Sequence, residues 1–272
     1  MIKNNLLKNS LDEIKKNKKY KTISDEIIVE EIKKYLEKNK TEEINKEDIK
    51  IIRASLHKSY SSFQTKKKNK RYQYLEKLKQ NQKETSTINK LLSMVLSTKE
   101  RLKNYSEIYK KIFSITNTPQ TIIDLGSGFN PLSYPYMNLK KVYYFAYDID
   151  EEDINFLNEY FLTMKNQGLN GIAKILDLRN TEKIKKIPKS DIVLLFKVID
   201  ILDKENHKIS EELIKELINK TRYIVASFAT KTITRKFMNY PDRKWFELML
   251  ERNNLQYQKF QTENELFYII QK

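Results

Sequence analysis

Short apolar runs alternate with helical segments through the second half of this 272-residue chain. The alternation begins after about residue 120 and is typical of a parallel sheet with helices on both faces. Candidate strands are TIIDL (121–125), VYYFAY (142–147), IAKILDL (172–178), DIVLLFKV (191–198) and RYIVASF (222–228). Helices are expected near 151–165, 205–220 and 242–253, and two final strands flank a Thr-Glu-Asn turn. The pattern predicts a doubly wound α/β domain that ends in a hairpin.

The first 105 residues show the periodicity of helices and contain no glycine. Apolar residues recur at helical spacing over 24–38, and from Asn45 onward Ile49, Ile52 and Leu56 share one face. Two further helices are expected near 70–80 and 84–95. We therefore predict two domains, an all-helical one over residues 1–105 and the α/β domain over residues 106–272.

The positive charge of the chain is concentrated in the N-terminal part. The net charge is +16, and residues 1–105 hold 27 Lys and Arg against 14 Asp and Glu, while residues 106–272 hold 25 against 22. This distribution favours binding to nucleic acid through phosphate contacts. A solvated basic loop would explain the densest cluster equally well. The candidate phosphate-binding residues of that cluster are Lys66, Lys67, Lys68, Lys70 and Arg71.

Composition excludes several classes of site. The chain has no cysteine and only two histidines, His57 and His207, so we expect no metal site and no thiol chemistry. It has no apolar run of about 18 residues and no signal-peptide pattern, which predicts a cytoplasmic protein without a membrane partner. We also expect a monomer.

Two of the four glycines follow the first predicted strand, in the segment Asp124-Leu-Gly126-Ser-Gly128. Glycines at such a turn let the backbone approach a ligand and direct N–H groups toward it. Asp148 ends the second strand, where a carboxylate can accept bonds from a ribose diol, and Asp177 ends the third, where it suits an adenine amino group. Each feature alone is often a simple turn or helix cap. The ordered set, without the third glycine of the dinucleotide fingerprint, favours S-adenosylmethionine over NAD.

The segment DLGSGFNPL (124–132) resembles a motif of the aminoglycoside-resistance methyltransferases, which modify N7 of a guanine in the decoding site of 16S rRNA. Further similarities follow the same order along most of the chain. They are ASLHKSYSSF (54–63), STKERL (97–102), DIVLLFKVIDIL (191–202), VASFATKTITR (225–235) and, after MNY and WFE, ELFYIIQK (265–272). The resemblance implies a Rossmann-like class I methyltransferase domain that uses S-adenosylmethionine.

The resemblance also implies roles for individual residues in binding the cofactor. Arg101 would hold its carboxylate with Ser97 in the same pocket, Asp148 its ribose, and Asp177 with Leu178 its adenine. A helix capping box at Ser97, and an ion pair of Arg101 with an acid on its own helix, would be purely structural alternatives. The full set of expected cofactor residues is Ser97, Arg101, Asp124, Gly126, Gly128, Asp148, Asp177, Leu178, Phe196, Glu205 and, more weakly, Phe63, whose place on an apolar stripe also suits a core residue.

The target implied by the resemblance is the small ribosomal subunit, with Lys197, Lys231 and Arg235 on loops or strand ends near the RNA. Several departures from the family's pattern fall in this region. Val95 and Leu96 precede Ser97 where the family usually has histidine, and Ala229 replaces a proline. Methylation of another rRNA nucleotide or atom, such as adenine N1, therefore remains an alternative, as does a noncatalytic RNA-binding or ribosome-assembly factor. Guanine N7 carries a lone pair, so its methylation would require positioning and no general base.

Overall fold

The computed structural model describes residues 4–60, 70–202, 207–231, 238 and 242–272. No helix within these ranges is long and apolar enough to cross a membrane. The helices are α1 (Asn4–Lys15), α2 (Asp25–Asn39), α3 (Lys46–Tyr60), α4 (Arg71–Gln80), α5 (Thr85–Leu92), α6 (Leu96–Arg101), α7 (Tyr105–Thr116), α8 (Glu151–Met164), α9 (Thr181–Ile184), α10 (Ile199–Leu202), α11 (Lys208–Ile218) and α12 (Lys244–Arg252). The strands are β1 (Thr121–Leu125), β2 (Val142–Asp148), β3 (Leu169–Ile175), β4 (Ser190–Phe196), β5 (Thr221–Ala229), β6 (Gln256–Gln261) and β7 (Glu265–Gln271).

The strands of the described residues form one sheet in the order β3-β2-β1-β4-β5-β7-β6. β1 to β5 are parallel, and β7 is antiparallel to both β5 and β6. The chain builds outward from β1 to β3 and then returns to place β4 on the other side of β1. This reversal makes a topological switch point between β1 and β4, where ligands bind outside the carboxyl ends of the strands. The expected Rossmann-like α/β architecture with a terminal hairpin is confirmed.

The third strand differs from the expected one in its position along the chain. We expected it over 172–178, whereas β3 runs from Leu169 to Ile175 because its ladder with β2 pairs Val142 with Leu169 and Asp148 with Ile175. Gly171 lies within this strand, where glycine is usually disfavoured. Asp177 therefore follows the end of the strand by two residues and lies in a loop.

The buried side chains of the N-terminal helices belong to two hydrophobic cores. The helices α1 to α3 share a core of their own, centred on Ile28, Ile32 and Leu56. Helices α4 and α5 lie where helices were predicted, whereas α7 was not predicted. The buried side chains of all three belong to the core beneath one face of the sheet, together with those of α8. A separate core on the other face contains side chains from α11 and α12. We refer to α1 to α3, which share the core centred on Ile28, as the helical unit.

Candidate functional site

A cleft opens at the carboxyl ends of β1, β2 and β4, at the switch point of the sheet. The cleft is partly open to solvent, and main-chain turns, carboxylates and apolar side chains all line it. Most of the described residues that the sequence assigned to a cofactor line it together: Ser97, Arg101, Gly126, Gly128, Asp148, Asp177, Leu178 and Phe196. Phe63 and Glu205 lie outside the described residues.

The glycine turn after β1 forms the floor of the cleft. Gly126 has φ +69° and Gly128 has φ +46°, so both occupy the left-handed region that favours glycine. The turn is tied to β2, because the N–H groups of Gly126 and Ser127 both donate to the carbonyl of Tyr147, at 2.9 and 3.0 Å. A Cβ on Gly128 would have no neighbour within 4 Å. The turn therefore leaves open space above a rigid backbone.

Ser127 gives an independent sign that a polar ligand belongs here. Its residue is 4% exposed and lines the cleft, yet its hydroxyl has no hydrogen-bond partner among the described residues. A buried hydroxyl without a partner is costly, so a ligand that bonds to it would gain binding energy. The open space at Gly128 and this hydroxyl fit a ligand with polar groups, as S-adenosylmethionine has.

Asp148 lies at the end of β2 beside the glycine turn. Its carboxylate accepts the N–H of Gly128 at 2.8 Å and the N–H of Ile149 at 2.7 Å. Burial raises the pKa of Asp148, although these N–H bonds oppose the shift. Each carboxylate oxygen can accept more than one bond, so the group keeps capacity for a ribose diol in the cleft.

Asp177 is 2% exposed and is held by Arg179, whose Nη2 lies 2.7 Å from Oδ2 and whose Nε lies 3.0 Å from Oδ1. Burial opposes ionisation, but the hydrogen bonds and charge of Arg179 outweigh it and lower the pKa of Asp177. Arg179 also donates from Nη1 to Glu31 of α2 at 3.0 Å. The cleft wall at Asp177 is thereby joined to the N-terminal helices.

The loop before α2 makes a second connection between the N-terminal helices and the cleft. Ile23 lines the cleft and forms an isolated antiparallel bridge with Asp150. The hydroxyl of Thr22 donates to the Asp150 carboxylate at 2.7 Å, and the N–H of Glu151 donates to the carbonyl of Thr22 at 2.9 Å. The helical unit therefore supplies part of the cleft wall, which the sequence alone gave no reason to expect.

Arg101 lies in α6, is 3% exposed, and forms a bidentate ion pair with Glu265 of β7. The structural alternative predicted that Arg101 pairs with an acid on its own helix. Its partner lies instead on a distant strand. The Cζ atom of Arg101 lies 4.8 Å from the ring centroid of Phe196, which is a cation–π contact. The capping box at Ser97 is not formed, because Val95 is the N-cap of α6.

Asp124 departs from the expected set, since it does not line the cleft. Its side chain is buried behind the glycine turn, where Oδ2 accepts the hydroxyl of Tyr144 at 2.6 Å and the amide of Asn130 at 2.9 Å. Asn130 follows the turn, so Asp124 supports the turn from behind and does not face a ligand.

Replacement of Asp124 by asparagine should change how stability depends on pH. Burial raises the pKa of Asp124 from 3.8 to about 6, so the folded protein takes up this proton more readily than the unfolded chain. The contribution of Asp124 to stability is complete below about pH 4 and is lost as pH rises through about 6. We expect the unfolding free energy of the wild type, relative to Asp124→Asn, to fall by about 2 kcal/mol between pH 4 and pH 7. Urea titrations of both proteins measure this difference, and parallel pH profiles would contradict it.

The cations that the sequence assigned to RNA have different surroundings. Lys70 is exposed, immediately before α4. Arg71, by contrast, is 6% exposed and pairs with Asp153 at 2.9 Å and with Glu152, so it anchors α4 to α8 and we remove it from the RNA surface. The sequence of a basic segment does not show which of its side chains are buried in the fold. Lys66, Lys67, Lys68 and Arg235 lie outside the described residues.

Lys197 and Lys231 both follow strands at the carboxyl edge of the sheet. Lys197 is 9% exposed, lines the cleft, and its Nζ lies 2.7 Å from Glu100 and 3.5 Å from Glu265. It is therefore part of a buried ion-pair cluster rather than of an open surface. The Nζ of Lys231 lies 2.7 Å from Glu263 in the hairpin turn.

Residues at this site that sequence reasoning did not assign include Ile23, Ser127 and Glu265. A usable signal existed for Ser127, which lies between the two glycines of the turn. One also existed for Glu265, because a strand that runs antiparallel after the predicted Thr-Glu-Asn turn begins at the carboxyl edge of the parallel strands. The contact of Ile23 depends on how the helical unit docks, which spacing does not encode.

A parallel sheet with a glycine-turn cleft at its switch point and an antiparallel β6–β7 hairpin defines the Rossmann-like methyltransferase class. The solved structure of the 16S rRNA methyltransferase RmtF in complex with S-adenosyl-L-homocysteine has the same fold, with a TM-score of 0.77, 20% identity and 99% of each chain covered. The 16S rRNA methylase ArmA is 26% identical, with a TM-score of 0.55 over 74% of this chain and 97% of that one.

A family model described as ribosomal RNA methyltransferase (FmrO) matches residues 16–269, and the chain belongs to this family. Two curated relatives are each named 16S rRNA (guanine(1405)-N(7))-methyltransferase. The one from Micromonospora echinospora is 30% identical over 69% of this chain and 66% of its own length. The one from Proteus mirabilis is 30% identical over 67% of this chain and 64% of its own length. Each alignment therefore spans less than two thirds of the relative.

Proposed function

We propose that this protein transfers a methyl group from S-adenosylmethionine to N7 of a guanine in the decoding site of 16S rRNA. The observation that carries the proposal is the glycine-turn cleft in a chain whose rRNA methyltransferase family model covers residues 16–269. The activity for which its relatives in Micromonospora and Proteus are named supports the same reaction.

The residues of the cleft suit the parts of this cofactor, which supplies an electrophilic methyl group on a sulfonium. Arg101 and Ser97 would hold its carboxylate, and Gly126 and Gly128 would face its methionine part. Asp148 would accept bonds from its ribose. The adenine would lie by Asp177 and Leu178, with Phe196 as a wall; all of these line one cleft.

The protein's contribution to the reaction would be positioning. Neutral guanine presents a lone pair at N7, so no side chain has to remove a proton before the methyl group is transferred. The base must leave its stack to reach a cleft at the edge of the sheet, which costs roughly a few kcal/mol. Phosphate contacts from the basic N-terminal part, with Lys70 and the cluster Lys66, Lys67 and Lys68, would offset that cost.

In this proposal the enzyme acts as a monomer in the cytoplasm. Its partner is the small ribosomal subunit. Methylation of the decoding site would be expected to reduce aminoglycoside binding there. The two domains in the proposal divide the work, since the helical part would recognise RNA shape and the α/β part would hold the cofactor.

The test incubates the protein with tritiated S-adenosylmethionine and purified small subunits, then cleaves the rRNA with borohydride and aniline at N7-methylguanine. The expected result is label in 16S rRNA with cleavage at one decoding-site guanine. Label without cleavage would reject N7 in favour of another atom such as adenine N1. Absence of both label and cofactor binding would instead support a noncatalytic RNA-binding factor.

A further inference from the structure

Glu265 is the first residue of β7, and its position follows from the direction of that strand. β7 is antiparallel to β5, with Glu265 opposite Ala229 and Phe267 opposite Ser227. The strand therefore starts at the edge of the sheet where the parallel strands end, which is the edge that carries the cleft. This geometry brings a carboxylate from the C-terminal end of the chain to the buried side of the cleft wall.

Almost every bonding position of the Glu265 carboxylate is occupied. The Nε atom of Arg101 lies 2.8 Å from Oε2 and 3.1 Å from Oε1, and its Nη2 lies 2.9 Å from Oε1. The hydroxyl of Ser227 donates to Oε1, and the ammonium of Lys197 lies 3.5 Å from Oε2. Glu265 is 1% exposed, so these groups replace the water that a carboxylate would otherwise require.

The charges of this cluster hold each other in the ionised state. Burial would raise the pKa of Glu265, but the positive charges of Arg101 and Lys197 outweigh it and hold that pKa below its usual value. Burial would lower the pKa of Arg101, and the charge of Glu265 with contact from Tyr105 reverses that effect and raises it. The ion pair therefore stays intact across the physiological pH range.

The pair also restricts how the Arg101 guanidinium can turn. Glu265 engages Nε and Nη2, and the Phe196 ring lies 4.8 Å from Cζ. The bidentate pair does not use Nη1, and Arg101 lines the cleft. A bidentate fork fixes the guanidinium plane, which a single point contact cannot do.

We propose that Glu265 is a positioning residue that fixes the Arg101 guanidinium in the orientation that binds the carboxylate of S-adenosylmethionine. The inference rests on the proposed function for the identity of the ligand. A positioning role can be told apart from a purely structural one by its effect on ligand affinity. Replacing Glu265 should weaken only the binding of ligands that carry the amino-acid part.

The test compares two ligands by calorimetry on the full chain. S-adenosylhomocysteine carries the amino-acid part, whereas 5′-methylthioadenosine has the same adenosine and sulfur without it. In Glu265→Gln we expect the Kd for S-adenosylhomocysteine to rise by about 10- to 100-fold, the range seen when an orienting partner is removed at metal sites. The Kd for 5′-methylthioadenosine should stay within about twofold of the wild type, because its contacts do not include Arg101.

Glu265→Asp keeps the charge and shortens the side chain, so it guards against a failure of Glu265→Gln to fold. It should show a smaller loss of the same selectivity. Arg101→Met should lose affinity for S-adenosylhomocysteine alone, and adding Glu265→Gln to it should cause no further loss, because the two act as a unit. Thermal unfolding curves of each variant show that the folded state is being compared.

Equal weakening of both ligands in the folded Glu265 variants would overturn the inference, and so would unchanged affinity for S-adenosylhomocysteine. Wild-type protein that binds neither ligand would contradict the cofactor proposal itself. Wild-type binding without methylation of 16S rRNA would reject only the substrate, and the ligand comparison would still decide the role of Glu265.

Discussion

Replacing Arg179 by methionine is expected to lower the free energy of unfolding by about 3–5 kcal/mol, the cost of leaving a buried charge without its partner. Asp177 is 2% exposed and both of its oxygens accept bonds from Arg179. The same guanidinium bonds to Glu31 of α2, so its loss would remove hydrogen bonds from two carboxylates at once. Urea denaturation at neutral pH measures the change.

The same substitution should weaken cofactor binding. Asp177 lines the cleft, and Ile23 reaches it from the loop that precedes α2. Loss of the Arg179 contact to α2 would leave the helical unit held by fewer bonds, so that this part of the cleft wall would be less well ordered. Calorimetry with S-adenosylhomocysteine should show a higher Kd in Arg179→Met at a temperature where the variant is still folded.

Lys183→Met is the matched control, because Lys183 joins the same two parts of the chain at the surface. Its ammonium lies 2.7 Å from Glu26 and 3.4 Å from Glu30, both on α2. Exposed pairs of this kind contribute roughly 0–1 kcal/mol. If Arg179→Met proved as mild as Lys183→Met, the connection between Asp177 and α2 would have no special role in stability or in the cleft.

The helices and strands that could be predicted from the sequence are those in which apolar residues recur at a clear, regular spacing. β1 has the expected bounds, and the bounds of β2, β4 and β5 differ from the expected ones by two residues or fewer. β3 was displaced by three residues because its extent is set by pairing with β2 and not by its own side chains. A strand that contains Asn170 and Gly171 has a weak local signal.

The candidate site divides in the same way between local and tertiary information. The glycine turn and Asp148 could be placed from sequence, because both depend on where a strand ends. The burial of Arg71 and the distant partner of Arg101 could not be predicted from sequence. Both depend on which helix or strand packs against the residue. Basic residues in one run can therefore have opposite roles, as exposed Lys70 and buried Arg71 show.

Replacing Gly126 by alanine is expected to lower the free energy of unfolding by about 2–5 kcal/mol and to weaken cofactor binding. The residue has φ +69°, where a side chain costs about 1–2 kcal/mol, and a Cβ there would lie 2.3 Å from Cγ2 of Val198. Overpacking of this kind costs about 1–3 kcal/mol, and both costs fall on the folded protein whether or not the ligand is bound. Affinity falls because the turn or Val198, both of which line the cleft, has to shift. Because the turn is bonded to the carbonyl of Tyr147, it cannot move away without losing those bonds.

The double variant Gly126→Ala with Val198→Ala separates the two costs. Removal of the Val198 methyl groups gives the new Cβ room, since the next atom, Cβ of Val198, would lie at 3.5 Å, an ordinary contact. We expect the double variant to recover part of the affinity for S-adenosylhomocysteine and to retain the loss due to backbone strain. Val198→Ala alone serves as the reference for the recovery. Wild-type affinity in Gly126→Ala would show that the turn does not border the cofactor, whereas equal losses in the single and double variants would assign the whole effect to the backbone.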